Sequence, residues 1–531
     1  TVGLGVIAAS NETNSNSFSS DQTTLLFGNN NGSTNSLAAT YNGGNNVGIN
    51  RIWQVEETGN VAATQISVPK SAVPSGITAV YIKNADPALG TGGTLVPLTD
   101  NGTTLSADVD FSDGDYFTFV SDPVAPGNVA GGLTFWLKAD AGVTGSSEGN
   151  AITNWVDQSF NGNSAANIDA QQPVFRETTQ LINSNPNADF TGTNGLAIAN
   201  DPAINTITGG AAYNAKSMSL TIRTGANVTA RQVLYEQGGG VRGLNFYILN
   251  GNLFFGAWNQ NNDGPGSPWN FQSVSSPVSA DTEYVITGVY DGDSGLNGSI
   301  ELFINGVSVG SVNTNIGLLY AHGGGIAIGQ SNGSRFEDGS TGGGFQFGGE
   351  LSEIIHYNDV ALSAAQRAQI ESYQATKYGI TLDQSVPVNY LNTSSTIVWD
   401  GSINSGFSND IAGIARDDAT ALNQKQSRSE NVTSILNIAL NNVAVNNQQN
   451  TGSFTADNTH LYVGHNNGGT NTINANYNGS AAANGISRIW KVEETGDAGN
   501  VRLQVAAADV AGGLTAVYIK NGDPTLGTGG N

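Results

Sequence analysis

Few residues of this chain have the types and spacing that chemistry requires. There is no cysteine, which removes thiol nucleophiles and disulfides. The four histidines, His322, His356, His460 and His465, form neither an H-E-x-x-H nor an H-x-H pair, so zinc hydrolysis is not expected. Neither a G-x-S-x-G elbow nor a phosphate-binding P-loop occurs. Glu56 and Glu57 stand side by side, but adjacent strand residues point to opposite faces and cannot converge on one substrate, so a solvated strand end is their expected role. Glu350 and Glu353 have the wrong parity for one strand face, which argues against the paired carboxylates of a glycoside hydrolase.

What remains is a set of polar and ring-rich turns. The stretch WVDQSFNGN offers Asp157, Asn161 and Asn163 at alternating spacing, with Gly162 for the sharp turn, and YDGDSGLNGS offers Asp291 and Asp293. Carboxylates and amide carbonyls are hard oxygen ligands for a cation. The same residue types also cap tight turns through their own backbone. For Asp157 the two readings stand level; for Asp291 and Asp293 the turn reading leads. The stretch AWNQNNDGPGSPWNF, 257–271, sets Trp258, Asn259, Trp269 and Phe271 among Gln, Asn and Gly. Large aromatics prefer cores, so two tryptophans in a Gly/Pro-rich loop are either an exposed ligand platform or a plug folded back on the protein.

The elements that must hold these turns are organised by a repeat. RIWQVEETGN at 51–60 returns as RIWKVEETGD at 488–497, and TAVYIKNADPALGTGG from Thr78 returns as TAVYIKNGDPTLGTGG from Thr515, both at an offset of 437 residues. Upstream the offset is 436, with Phe27 matching Val463 and Tyr41 matching Tyr477, so one residue is inserted after Tyr477. Self-similarity in register over so long a stretch marks a repeated domain. Residues 1–122 and 387–531 read as two incomplete copies, which leads to the expectation of a longer array with neighbouring repeats as partners.

Between them, 128–383 reads as a second kind of domain. Pro123 and Pro126-Gly127 mark a linker. Alternating runs at 217–224, 231–237, 244–258, 283–293 and 299–311 predict strands. Asn250-Gly251 and Asn305-Gly306 between such runs predict type I′ hairpins, whose turn needs two residues of positive φ. One helix is expected, 363–379, with Ser363 as N-cap and Gly379 as stop.

Trp136 in an opening strand, WVDQSFNGNSA around Asp157, the hairpin LFINGVSVG and the closing GELSEIIHYNDVALSAAQRAQIESYQATKYGI together resemble laminin-G-like, concanavalin A-like jelly rolls of bacterial surface proteins. DIAGIARDD followed by LNQKQS resembles a domain that accompanies such modules in large secreted proteins of flavobacteria. The resemblance implies an all-β fold: a central jelly roll with one short C-terminal helix, flanked by two copies of a smaller β-sandwich. It also implies a calcium ion at the sandwich rim, with Asp157, Asn161, Asn163, Asp291 and Asp293 as ligand candidates. A carbohydrate site on such a lectin-like domain would use exposed rings, here Trp258, Trp269 and Phe271 with Asn259. The whole is similar to the giant secreted adhesins of Bacteroidota, exported by the type IX pathway and including gliding adhesins.

Composition agrees with that class. The net charge is −24, while charged residues are only 12% of the 531 residues and Gly numbers 70. An acidic chain has too few Lys and Arg to bind nucleic acid phosphates or an anionic membrane surface. No apolar run long enough to cross a membrane occurs. Lack of cysteine in an extracellular array points to a bacterial source. The expected function is a non-catalytic adhesin or structural stalk at the cell surface that binds glycans or surfaces. The alternatives are a carbohydrate-binding module array of a polysaccharide-degrading protein and a subunit of an extracellular filament.

Overall fold

The computed structural model describes all residues except 43–45, 75, 122–123, 144–146, 160, 169–171, 193–194, 208–210, 261–267 and 480–483. Pro123 of the expected linker and the middle of the 257–271 loop therefore lie outside the described residues. The protein is all-β with one α-helix among the described residues, and it divides into two compact units, Thr1–Val124 and Ala125–Asn531.

The first unit is a sandwich of two antiparallel sheets. One has the order Val2–Leu4, Thr64–Pro69, Thr104–Val109, Thr99–Asp100. The other runs Thr24–Asn29, Trp53–Thr58, Asp115–Ser121, Asn46–Gly48, Ala39–Tyr41, with Ala79–Asn84 also paired to Asp115–Ser121. Alternate residues of each strand face inward, so Val55, Ile66, Val80, Leu105, Phe117 and Phe119 form one core. Tyr81 is fully buried, and Trp53 is half-buried, stacked on Phe117 at 5.3 Å.

In the second unit the jelly roll consists of two eight-stranded sheets. The first carries, in order, Asn187–Thr191, Gly348–Asn358, Ala215–Thr224, Glu283–Asp291, Ser299–Ile304 and Val307–Val312, with Leu133–Lys138 added to Gly348–Asn358. The second carries Leu196–Ile198, Ile326–Ile328, Gln232–Gly238, Arg242–Leu249, Asn252–Asn259 and Trp269–Pro277. Both hairpin signals hold: Asn250 and Gly251 have φ of 52° and 75°, and Asn305 and Gly306 have 48° and 85°. The inner faces close on a large core that includes Phe135, Trp155, Leu220, Phe246, Phe255 and Tyr290.

The C-terminal sandwich copy packs against the jelly roll within the same unit, and it repeats the pairing of the first copy residue for residue. Val2 lies opposite Ile66, and Ile438 opposite Leu503; Phe27 lies opposite Val55, and Val463 opposite Val492. The repeated residues have repeated bonds. The Tyr41 hydroxyl donates to the Ile49 carbonyl at 2.7 Å, as Tyr477 does to Ile486. Arg51 Nε donates to the Gly32 carbonyl at 2.9 Å and Arg488 Nε to Gly468 at 3.0 Å. Glu57 Oε1 accepts the Val61 amide at 2.7 Å and Glu494 Oε1 the Ala498 amide at 2.8 Å. Glu57 is thus a turn cap in both copies, and the motif residues are explained by folding.

The helix Ala364–Tyr378 has its Ser363 cap, with the Ser363–Gln366 capping box, and ends on Gly379 at φ 61°. It covers the outer face of the first jelly-roll sheet, and its last turns bury residues from Ile370 to Tyr378. A Cβ on Gly379 would come within 2.3 Å of the Arg428 carbonyl, whereas one on Gly251, also at positive φ, would meet nothing within 4 Å. Gly251→Ala is therefore expected to cost only the left-handed backbone penalty, about 1–2 kcal/mol. Gly379→Ala adds an overpacking cost of about 1–3 kcal/mol. Denaturant titration of the two variants checks the order; equal losses would mean that the contact with Arg428 is not made.

Candidate ligand-binding face of the jelly roll

Trp258 and Trp269 are both buried, which corrects the expectation of exposed rings. The cause is that the strands run further than the loop composition implied. Asn252–Asn259 and Trp269–Pro277 are neighbouring paired strands, so both tryptophans lie in the sheet, and a register shift between Ala257 and Asn259 turns Trp269 to the core although Phe271, two residues on, lies on the outer face. Trp269 points into the core, stacked on Tyr290 at 6.2 Å with Nε1 donating to the Leu318 carbonyl at 3.0 Å. Trp258 points to the opposite face, 5.8 Å from the half-buried Phe271, with Nε1 donating to the Gly239 carbonyl at 2.8 Å. Asn259 is buried and its Oδ1 accepts from Arg242 at 3.0 Å. Of the four ring-site candidates, only Trp258 and Phe271 come together on one outer face.

That face is covered by a second hairpin, Ser331–Arg335 with Thr341–Gly344. Val233, Tyr247, Phe254 and Phe336 form a buried cluster there, with Phe271 and Phe345 packed against it. The Arg231 guanidinium lies 4.3 Å from the Phe336 ring centre and 5.1 Å from that of Phe345. Two polar residues sit among these rings, directly opposite each other on neighbouring strands: Glu236 and Asn245. Glu236 Oε2 accepts the Asn332 amide at 3.0 Å, and Asn245 Nδ2 donates to Ser334 Oγ at 2.7 Å. Glu236 Oε1 and Asn245 Oδ1 have no hydrogen-bond partner, although both side chains are fully buried. Burial pushes the Glu236 carboxyl up to about 8, despite the bond from Asn332. At neutral pH it is a neutral donor beside an amide acceptor, which is the chemistry that recognises a hydroxyl group. Neither residue was singled out from sequence, although a glutamate inside the apolar run QVLYEQ is the signal that could have found them.

The turn candidates have settled into structural work. Asp157 Oδ1 accepts the Trp136 and Ser159 amides, both at 2.8 Å, and Oδ2 accepts Ser159 Oγ at 2.8 Å and the Asn163 amide at 3.0 Å. Asn161 Nδ2 donates to the Leu133 carbonyl at 2.8 Å and Asn163 Nδ2 to the Thr134 carbonyl at 2.9 Å, so this turn is laced to the opening strand. Asp291 ends its strand exposed, and Asp293 Oδ1 accepts the Gly295 amide at 2.6 Å, an Asx turn. Among the described residues no group of three or more His, Cys, Asp and Glu is placed to hold a metal ion.

The parity argument for Glu350 and Glu353 fails for a local reason. A bulge at Ser352 sets Glu350 opposite Arg223 and Glu353 opposite Thr221, so both carboxylates share the helix-covered face. Only Glu353 is taken up by hydrogen-bond donors; Glu350 is ion-paired at longer range, and burial pushes its carboxyl up to about 7. Glu353 accepts from Trp136 Nε1, from the Tyr378 hydroxyl at 2.7 Å and from Tyr373 and Lys377 at 3.2 Å; Glu350 lies 3.8 Å from Arg223.

The chain belongs to the family described as a domain of unknown function (DUF8202), whose model matches residues 1–115 and 366–531. These are the two sandwich copies, and the second match begins inside the helix. No curated protein sequence matches significantly. Among solved structures, the Ruminococcus gnavus IT-sialidase CBM40 bound to α2,3-sialyllactose is similar at 18% identity over 34% of this chain and 92% of that one, with a TM-score of 0.24. Domain 4 of the extracellular arabinanase AbnA from Geobacillus stearothermophilus, in complex with arabinotriose, is similar at 15% identity over 45% and 98%, with a TM-score of 0.30. The binding domain of botulinum neurotoxin serotype D is similar at 14% identity over 48% of this chain, which spans about half of that domain (53%), with a TM-score of 0.31.

Two outcomes follow from this geometry. Trp258→Ala is expected to unfold the sheet edge at a cost of about 3–5 kcal/mol in denaturant titration, because a filled ring site is emptied; a loss under about 1 kcal/mol would return Trp258 to the surface. The folded protein holds the Glu236 proton up to about 8, whereas an unfolded glutamate releases it near 4.5. The stability this carboxyl contributes is full below the lower value and is lost as pH rises toward the upper one. Glu236→Gln, neutral throughout, should therefore gain in melting temperature relative to the parent between about pH 4 and pH 8. A difference that stays flat with pH would show that the buried carboxyl is already ionised.

Proposed function

We propose that the chain is a repeat segment of an extracellular, cell-surface adhesin or stalk, without catalytic activity of its own, and that its jelly roll binds glycan or surface ligands. The observation that carries the reading is the pair of unsatisfied, fully buried oxygens of Glu236 and Asn245. They lie beside Trp258 and Phe271 under a glycine-rich hairpin, and a hydroxyl-rich ligand supplies what they lack where that hairpin lifts to admit it. The flanking sandwiches serve as connecting structure, since the residues repeated between them cap turns and fill cores.

The junction between jelly roll and C-terminal sandwich suits a stalk. Asn185 Nδ2 donates to the Lys377 carbonyl at 2.6 Å and to Gln424 Oε1 at 3.1 Å, Asn183 Nδ2 donates to Ser427 Oγ at 3.0 Å, and Gln424 Nε2 returns to the Asn183 carbonyl at 3.1 Å. A junction whose buried amides are bonded across it resists bending more than one held by surface contacts. Enzymatic chemistry is not part of this reading: the Glu353 carboxylate is held by four donors and Glu350 is paired with Arg223.

The full chain should bind a subset of a glycan array, or coat a polysaccharide surface. Asn245→Ala should abolish that signal while the protein still melts cooperatively. Absence of any glycan or surface binding would leave the spacer role alone.

A further inference from the structure

The jelly roll buries a lysine where an apolar residue is due. Met218, Leu220 and Ile222 point into the core, and Lys216 continues their parity at the start of the strand Ala215–Thr224. It is fully buried. A buried lysine is ordinarily paired with a carboxylate. Among the described residues Lys216 forms no ion pair: Nζ donates to the Ile204 carbonyl at 2.7 Å and to Asn358 Oδ1 at 2.8 Å, and it lies 3.7 Å from the centre of the Tyr213 ring. The neighbouring His322 and His356 are kept neutral by burial, His322 with its pKa pushed down to about 3. Burial holds the Lys216 amine well below its ordinary pKa, against the opposing charge of Asp359. An uncharged amine keeps its lone pair and is a nucleophile.

The group it touches is an electrophile held in place. Lys216 and Asn358 lie directly opposite each other on paired antiparallel strands. The carboxamide carbon of Asn358 is one bond beyond the oxygen that Nζ contacts, so a small side-chain torsion sets the amine against the carbon. The other end of the carboxamide is fixed as well: Asn358 Nδ2 donates to Asp359 Oδ2 at 3.2 Å. Asp359 is tied back to the lysine's strand, its amide donating to the Ala215 carbonyl at 2.9 Å and its Oδ1 accepting the Asn214 amide at 3.3 Å. Asp359 is exposed, so the amide nitrogen it holds has a way out to water.

We propose that Lys216 and Asn358 join in a covalent amide cross-link that forms within the folded chain. The Nζ–Cγ bond forms and the Cγ–Nδ2 bond breaks. The attacking nitrogen gives up one proton, Asp359 passes it to the nitrogen it holds, and ammonia departs to solvent. No oxidant, reductant or co-reactant is consumed. Burying and orienting both groups makes the reaction intramolecular, which offsets the low reactivity of a carboxamide. The link joins residues 142 positions apart in a chain without cysteine, and it restricts the unfolded state as a disulfide does. A pull along the chain crosses from Lys216 to Asn358 and bypasses everything between them, Glu236 and Asn245 included. The cross-link goes beyond the ligand-binding reading of the jelly roll and does not rest on it.

The test is the mass of the purified full chain. The expected mass is that of the sequence less one ammonia, and a digest should contain one branched peptide joining the Lys216 and Asn358 segments. Lys216→Met, close in length and apolar, should restore the sequence mass, lose the branched peptide and melt at a lower temperature. Asp359→Asn should slow the conversion several-fold, so that fresh protein holds both masses and loses ammonia with time. The full sequence mass without a branched peptide, after prolonged incubation of the folded parent, would overturn the proposal. So would an ammonia loss that persists in Lys216→Met, which would be ring closure at an Asn-Gly step. A variant that fails to fold leaves the parent's mass and digest decisive.

Discussion

The carboxylate of Glu353 is the point on which the second unit turns. It is fully buried between a sheet and a helix, and four donors meet it: the Trp136 indole, the Tyr373 and Tyr378 hydroxyls and the Lys377 ammonium. An isolated buried carboxylate would cost several kcal/mol, and removing any one partner of such a set leaves an uncompensated charge. Burial lowers the Lys377 pKa, but Asp140 and Glu353 outweigh it and hold the group above its ordinary value, so the ammonium stays charged. Trp136 belongs to the opening strand, Glu353 to the closing strand and the other three to the helix, so one carboxylate ties the two ends of the jelly roll to the element that follows. The helix can then serve as floor for the next domain: the Ser372 hydroxyl accepts the Leu391 amide at 2.9 Å, and Thr376 bonds the Tyr462 hydroxyl.

This arrangement explains why the family match starts inside the helix. The helix belongs to both domains. Its polar residues face one sheet through Ser219 and Gln374, at 2.6 Å, and another through Tyr462. An amphipathic stripe would bury one face and leave the other wet. This helix instead has residues of both kinds buried all round its last two turns, because protein lies on both sides.

The legible parts of the sequence were those governed by local rules. Asn-Gly pairs with positive φ, a Ser cap with Gln three residues on, a Gly stop and period-two alternation each act within a few residues, and each was found where expected. The repeat was legible too, down to the inserted residue, and the structure gives that insertion a place between Tyr477 and Ile486. What could not be read were effects of pairing partners. The Ser352 bulge that brings Glu350 and Glu353 to one face is set by the neighbouring strand. The burial of Trp258 and Trp269 depends on ladders that continue past a loop-like composition. Glu236 and Asn245 meet only because two strands adopt one register, which no spacing in the chain reveals.

The same distinction separates the two kinds of conserved-looking feature in this protein. Residues shared by both sandwich copies, such as Arg51 and Arg488 or Glu57 and Glu494, make short-range bonds that close turns, and those bonds form even where the sheet above them is open. The apolar positions shared by both copies behave differently: they are buried only where a partner strand lies over them. Turn closure is therefore intrinsic to each copy, whereas core closure depends on strands brought from further along the repeat. A domain built this way has its loops preformed before its core is complete. Preformed turns hold the edge strands near the geometry of the finished sandwich, which lowers the ordering cost of adding the final hairpin.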